Sequence, residues 1–414
     1  MNHILIIGFV WPEPNSSAAG SRMLQLINLF LDQNWKITFA SPALETQHMT
    51  DLEKLGISTV NIKVNDSSFD IFIKEENPEV VLFDRFIIEE QFGWRVTQHC
   101  PNTIKILNTE DLHCLRKTRH QALKNDKEFT LEQLLDNDHT KREIASIYRC
   151  DLSLIISDFE LEILTNTFNI PSQLLFYIPF LLDPITEEIK KQWLPFEQRK
   201  HFITIGNFRH EPNWDSILYL KKTIWPLIKE EISKEIELHI YGAYPPPKAT
   251  QLQNSSLGFH IKGWAQNSKT VLSQAKICIA PLRFGAGIKG KLAESMLCGT
   301  PSITTSIGAE GMIHDDIDWN GFIVDNPIRF AKAAIKLYNN KNLWLQSQQN
   351  GIRIINAKFQ KKQFSDKLFQ HIQKISSNLK KHRNTNFIGK MLQFHTLRST
   401  EFMARWIEAK NKKE

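Results

Sequence analysis

Residues 283–305 read RFGAGIKGKLAESMLCGTPSITT. Glycines stand at 285, 287 and 290, lysines at 289 and 291, and a single carboxylate, Glu294, lies on an apolar, small-residue run that stops at Gly299. Glycine lets backbone come close to a ligand, and the first amides of a helix attract anions. A flexible backbone, two cations and one carboxylate within a dozen residues suit a bound polyphosphate that carries a sugar. The pattern predicts a helix starting near Ile288, with Gly285, Gly287 and Ile288 turned toward the phosphates. Helix positions two apart face different ways, so one lysine is expected to meet the anion, Lys291, and Lys289 to be solvated.

On either side of this stretch, short β-branched runs alternate with amphipathic segments. FITIGNF, IELHIYG, FHIKGW, ICIAP and PSITTS form one set. An earlier set comprises HILIIGF, KITFASP, STVNIKV, VVLFD, IKILNTE and LSLIIS. Such alternation predicts parallel sheets with helices on both faces, an α/β fold of two doubly wound, Rossmann-like domains. The polar DPITEEIKKQWLPFEQRK separates the sets and reads as a linker over 183–200. Expected units are therefore 1–182, 201–358 and a helical segment over 359–414. Ligands of such sheets bind at the carboxyl ends of the strands, here the cleft between the two domains.

With 414 residues the chain is long enough for two domains, and 42% hydrophobic and 23% charged residues are the shares of a globular protein. A net charge of +6 favours anionic partners. Five cysteines with no C-x-x-C pair argue against a disulfide framework or a zinc site and point to a cytoplasmic setting. MNHILIIGFVWPEP lacks the basic start and cleavage site of a secretory signal and reads as a first strand. It also lacks the G-x-G-x-x-G of a dinucleotide-binding oxidoreductase, and no interleaved basic and aromatic surface suggests nucleic acid. The tail carries a stripe of Phe387, Met391, Phe394, Phe402 and Trp406. Its helices are expected to pack back across the domains, with peripheral docking at the inner membrane face as the alternative.

The order of motifs resembles the retaining glycosyltransferases of family 4, which have the two-Rossmann GT-B architecture. The resemblance runs from Ile4 to about Lys374 and is carried by GNFRHEPNWDSILYLKKTIWP, LHIYGAYP, IKGWAQNSKTVLSQAKICIAPLRFGAGIKGKLAESMLCGTPSITTSIGAEGM and NGFIV. It implies transfer of a sugar from a nucleotide-diphosphate donor to a glycan or lipid-linked acceptor, with retention of configuration. By the same resemblance Lys291 faces the diphosphate, Glu294 holds the ribose hydroxyls, and Gly206, Arg209 and Thr305 border the donor. The paired small residues Ala19 and Gly20, after the first strand, would approach it from across the cleft. NTEDLHCLRKTR looks like the family's segment with a histidine at the reacting centre, which makes His113 the second catalytic candidate beside Lys291.

Two departures accompany the resemblance. The first of the family's two glutamates, a donor-sugar contact, is Ala286, and the usual arginine and lysine pair after the domain's first strand is replaced by GNFRHEPN, with Arg209 out of register. A non-catalytic scaffold or nucleotide-sugar-binding protein is therefore the alternative reading. Glu110 and Asp111 are expected to cap the next helix, with Arg116 and Arg119 in ion pairs, and ISDFE at 156–160 to cap another. HDDID at 314–318 has acidic spacing but follows the nucleotide segment, so neither a metal nor another cofactor is expected.

Overall fold

The computed structural model describes residues 2–412, and of 396–398 the backbone alone. Seven parallel strands form the first sheet: β1 (His3–Ile7), β2 (Lys36–Ser41), β3 (Ser58–Asn61), β4 (Val80–Asp84), β5 (Ile104–Asn108), β6 (Leu152–Ile155) and β7 (Leu175–Tyr177), in the order β3-β2-β1-β4-β5-β6-β7. Every residue of β1, β4 and β5 is buried, as a sheet covered by helices on both faces requires. The helix Ala18–Asp32 is capped by Ser17 and presses Met23, Leu26, Ile27 and Phe30 onto one face.

The second sheet contains β8 (Lys200–Ile205), β9 (Leu238–Tyr241), β10 (Phe259–Gly263), β11 (Ala275–Ala280), β12 (Ser302–Thr304) and β13 (Gly321–Ile323), in the order β10-β9-β8-β11-β12-β13. In both sheets the strand order reverses beside the first strand, between β1 and β4 and between β8 and β11. Loops leave those strand pairs in opposite directions and open a crevice at the carboxyl ends. Gly206, Arg85 and the stretch 281–290 all follow such ends.

The chain crosses between domains twice, and the crossings touch. Leu182 N donates to Phe359 O (2.8 Å) and Lys361 N to Leu182 O (3.2 Å). The helix Lys361–Ser377 then buries Leu368, Ile372 and Ile375 in the core of the first domain, with Phe369 edge-on to Phe30. Arg383 fastens the helix Leu379–Thr385: its Nε donates to Asp151 Oδ1 and its Nη2 to Asp151 Oδ2, both at 2.8 Å.

The last helix, Phe387–Asn411, lies on the helices Phe86–His99 and Asp138–Arg149. The expectation that its aromatic stripe packs inward is corrected here. Phe387, Met391, Phe394, Phe402 and Trp406 are 71%, 46%, 57%, 66% and 62% exposed. Small or slender residues make the inner contacts instead, Gly389 against Tyr148 and Ala404 against Trp94. Among the described residues no helix is long and apolar enough to cross a membrane.

Because Asp151 is buried, removing its Arg383 partner leaves a poorly compensated carboxylate. Arg383→Ala should lower the unfolding free energy by roughly 2 kcal/mol in urea melts. A loss below about 0.5 kcal/mol, the level of an ordinary surface change, would show that the clip does not hold the tail.

Candidate functional site

The glycine-rich loop is stitched into the first domain. Gly287 has φ +62°, and a Cβ there would stand 2.8 Å from Asp111 Cβ; one on Gly290 would meet Ala18 Cβ at 2.6 Å. Side chains at either position would push the domains apart. Gly287 N donates to Glu160 Oε1 (2.8 Å), which also accepts from Leu112 N (2.8 Å). Gly285 O accepts from Arg119 Nη1 (2.9 Å), and the same guanidinium grips both carboxylate oxygens of Glu310 at 2.7 Å. Bidentate geometry and burial make that ion pair a strong interdomain tie.

Several expectations are revised by this arrangement. The Gly287 amide is engaged by Glu160 and is not open to a phosphate. The helix spans Gly290–Leu297, so Ile288 precedes it and is a buried core residue. Lys289 is 8% exposed, not solvated; its Nζ donates to Gly287 O (2.8 Å), and burial pushes it down to about 8. Gly20 N donates to Ser17 Oγ (3.0 Å) at the cap of its helix, with Ala19 beside it. Thr305 is also a cap: its Oγ1 donates to Leu282 O (2.6 Å) and accepts from Gly308 N (3.2 Å). Ala286 packs against the apolar core of the first domain.

Capping around His113 differs from the sequence reading as well. The helix His113–Lys124 begins after Leu112, and its first amides are met by a distant carboxylate, His113 N donating to Glu143 Oε1 (3.1 Å) and Cys114 N to Glu143 Oε2 (2.7 Å). Glu110 turns inward at φ +64° and accepts from Asn108 Nδ2 (2.7 Å). Burial, aided by Asp84, pushes Glu110 up to about 8. Asp111 does pair with Arg116, whose Nε donates to Oδ2 (2.6 Å). Arg119 reaches across the cleft to Glu310 instead of pairing locally. In the ISDFE segment Ser157 makes no capping bond, and Glu160 is the interdomain carboxylate.

Between these ties lies a cationic hollow to which both domains contribute. His113 Nε2 is 3.3 Å from Asp111 Oδ1, and Phe86 stands edge-on to the ring. Burial drives His113 down to about 3; Asp111 opposes the shift, while Arg116 and Arg85 add to it. The imidazole is therefore neutral at pH 7. Burial alone would raise Asp111, but the Arg116 guanidinium bonded to it holds it well below its ordinary value. From the second domain, Lys291 Nζ donates to Asn213 Oδ1 (2.8 Å), and Asn213 also packs against Gly206. Burial pushes Lys291 down to about 8. His210 is exposed at the cleft surface, and crowding by the surrounding protein, with Arg116 beside it, lowers its imidazole. Glu294 lies on the same helix as Lys291, and its carboxyl is raised by burial and opposed by a hydrogen bond with Ser268.

Beside the hollow a cleft of about 790 Å³ is lined by Phe208, Arg209, Trp214, Tyr244, His120 and Lys124, among others. Arg209 stacks over Tyr244, 3.8 Å from the ring centre. The hollow and the cleft together offer cations, a neutral histidine and aromatic faces where the two sheets' carboxyl ends meet. His210 and Asn213 escaped the sequence reading, although GNFRHEPNWD follows a strand and opens a helix, the one signal that could have found them.

Neutral His113 makes stability depend on pH. Its folded value lies below its unfolded one, so the unfolded chain binds the extra proton between about pH 6.5 and pH 3 and stability falls as pH falls through that window. The slope should approach ~1.4 kcal/mol per pH unit from this group, and His113→Asn should remove it in urea melts at a series of pH values. A mutant slope equal to the parent's would contradict the assignment.

Residues 199–340 match the family model described as Glycosyl transferases group 1. No curated protein matches the sequence. Among solved structures, sucrose-phosphate synthase from Thermosynechococcus elongatus is similar at 13% identity and TM-score 0.66, covering 91% of this chain and 100% of that one. A TarM variant from S. aureus, solved with fondaparinux, alpha-GlcNAc-glycerol and UDP, has 11% identity and TM-score 0.68, covering 90% and 100%. A glycosyltransferase from Rickettsia africae has 14% identity and TM-score 0.63, covering 91% and 99%. At these identities the structures speak for the fold, and the family match speaks for the second domain. Residues 199–340 thus form a Glycosyl transferases group 1 segment, and the chain as a whole shares the two-domain fold of these structures.

Proposed function

We propose that the protein transfers a sugar from a nucleotide-diphosphate donor to a glycan or lipid-linked acceptor, with retention of configuration and without a metal or other cofactor, at the cytoplasmic face of a membrane. The observation that carries this reading is the convergence of Lys291 and His210 from one domain with Arg116 and neutral His113 from the other. Negative charge grows on the diphosphate as the glycosidic bond breaks, and fixed cations in an enclosed site stabilise it without reorganising. Lys291 is the group that follows the leaving phosphate, and Glu294 accepts from the ribose hydroxyls. His113 donates from its neutral ring to the donor sugar or the acceptor.

TarM and the pneumococcal O-GlcNAc transferase were each solved with UDP, which supports a nucleotide-diphosphate donor here by analogy. The missing arginine and lysine pair is offset in this reading by Arg116 and Arg85, supplied from the first domain.

Glu294 touches a part of the donor whose bonds do not change, so Glu294→Gln should mainly raise the donor KM and weaken binding of the free nucleotide diphosphate by roughly 1 to 3 kcal/mol. Lys291 acts where charge develops, so Lys291→Ala should lower kcat by about a hundredfold. Steady-state kinetics with nucleotide calorimetry on both variants checks this, and NMR of the product's anomeric proton checks retention. If neither variant changes affinity or turnover, the donor lies elsewhere.

Membrane contact through the last helix belongs to the same proposal. At 100° per residue Phe387, Ile388, Met391, Phe394, Phe402 and Trp406 fall within an arc of about 120°, and all six are exposed. Exposed Lys380, Lys381, Lys390, Arg405 and Lys410 accompany them. Such a face suits the boundary between headgroups and acyl chains of an anionic bilayer. The full chain should sediment with vesicles containing anionic lipid, and a Phe387→Ser, Phe394→Ser, Trp406→Ser variant should stay in solution with an unchanged melting temperature. Equal sedimentation of both proteins would contradict membrane contact.

A further inference from the structure

Far from the cleft, three histidines gather around one carboxylate on the second sheet. His201 is the second residue of β8, His239 the second of β9 and His260 the second of β10, while Glu237 immediately precedes β9. The register pairs His260 with His239 directly. His239 Nε2 is 2.6 Å from Glu237 Oε2, and His260 Nε2 is 3.3 Å from Glu237 Oε1. The His201 and His239 ring centres are 4.8 Å apart. One ligand atom from each of His201, Glu237 and His239 lies within 4.8 Å of the others, and all three residues are half-buried. His260 Nε2 is buried and has no hydrogen-bond partner.

Backbone geometry is a second and separate observation. His201 has φ +63° in the interior of a strand, a left-handed conformation that a non-glycine residue adopts only at a cost. Its Nδ1 accepts from Glu237 N (3.1 Å), which ties the imidazole to the carboxylate's own residue. From these residues we infer that His201, Glu237, His239 and His260 form a binding site for one zinc-like divalent transition-metal ion, clipping β8, β9 and β10 together. On binding, His201 exchanges its bond to the Glu237 amide for the metal.

The donor set selects the ion. Three imidazoles and one carboxylate match zinc, whose protein sites take four nitrogen, sulfur or oxygen ligands, and not magnesium or calcium, which require oxygen. Lys200 and Lys262 also face the histidines and oppose a cation held by charge alone. Binding therefore rests on directed nitrogen ligation. His201 lies five residues before Gly206, about 16 Å along β8 at the usual rise, so the ion takes no part in chemistry at the cleft.

The test uses the full chain, free of any histidine tag, stripped with chelator and titrated with zinc chloride in a calorimeter near pH 7.5. One ion per chain should bind, with a rise in melting temperature, and magnesium should have no effect. His239→Ala and His260→Gln should each weaken binding by at least about tenfold, whereas His314→Ala, in the exposed acidic turn, should not. Binding should fall away near pH 5.5, where protons compete for the imidazoles. Stoichiometry far from one, or affinities of the His239 and His260 variants within about threefold of the parent, would overturn the inference. Should His239→Ala fail to fold, the milder His260→Gln decides alone.

Discussion

The site depends on the contact of one loop with the opposite domain. Residues 285–290 belong to the second domain by sequence, yet their amide, carbonyl and Cα surfaces are bound by Glu160, Arg119, Asp111 and Ala18 of the first. Two glycines permit that approach, and the buried Arg119–Glu310 pair fixes it. A buried pair of this kind resists separation, since opening it would leave one charge in a poorly solvated pocket. The helix that follows is thereby aimed, and with it Lys291 and Glu294. Glycines that read as phosphate-binding elements are, in this state, elements of domain packing.

That packing concentrates charge. Glu160, pushed up to about 8 by burial and by Asp111, sits near Lys289, which burial pushes down to about 8. The shared direction of both shifts is toward neutrality, the expected response of ionisable groups that lose water. In the hollow, Arg116 pairs with Asp111, Lys291 bonds to Asn213, and burial lowers both His113 and His210. Glu294, one turn further along the same helix, is hydrogen-bonded with Ser268, and burial raises its carboxyl.

How much of this was legible in the sequence follows from how local each cause is. Strands and their order of appearance were, because a parallel sheet buried on both faces leaves continuous apolar runs such as HILII and VVLFD. The stretch 283–305 announced itself through glycine spacing. Glu160 and Glu310 did not, since their partners lie 127 and 191 residues away and no local pattern marks them. Lys289 looked like a solvated lysine until the first domain covered it. The tail shows the same limit from the other side: periodicity reveals an apolar face on Phe387–Asn411, but whether that face turns inward depends on small residues such as Gly389 and Ala404, which fit the neighbouring helices better. The histidines on β8, β9 and β10 are scattered over sixty residues and meet only through register.

The decisive measurement is a donor-hydrolysis screen of the full chain against a panel of nucleotide-diphosphate sugars, with and without chelator. The proposed transfer predicts that at least one donor is hydrolysed, at a rate that chelator leaves unchanged. Hydrolysis of no donor, together with no calorimetric binding of any nucleoside diphosphate, would contradict an enzymatic role and favour the non-catalytic scaffold.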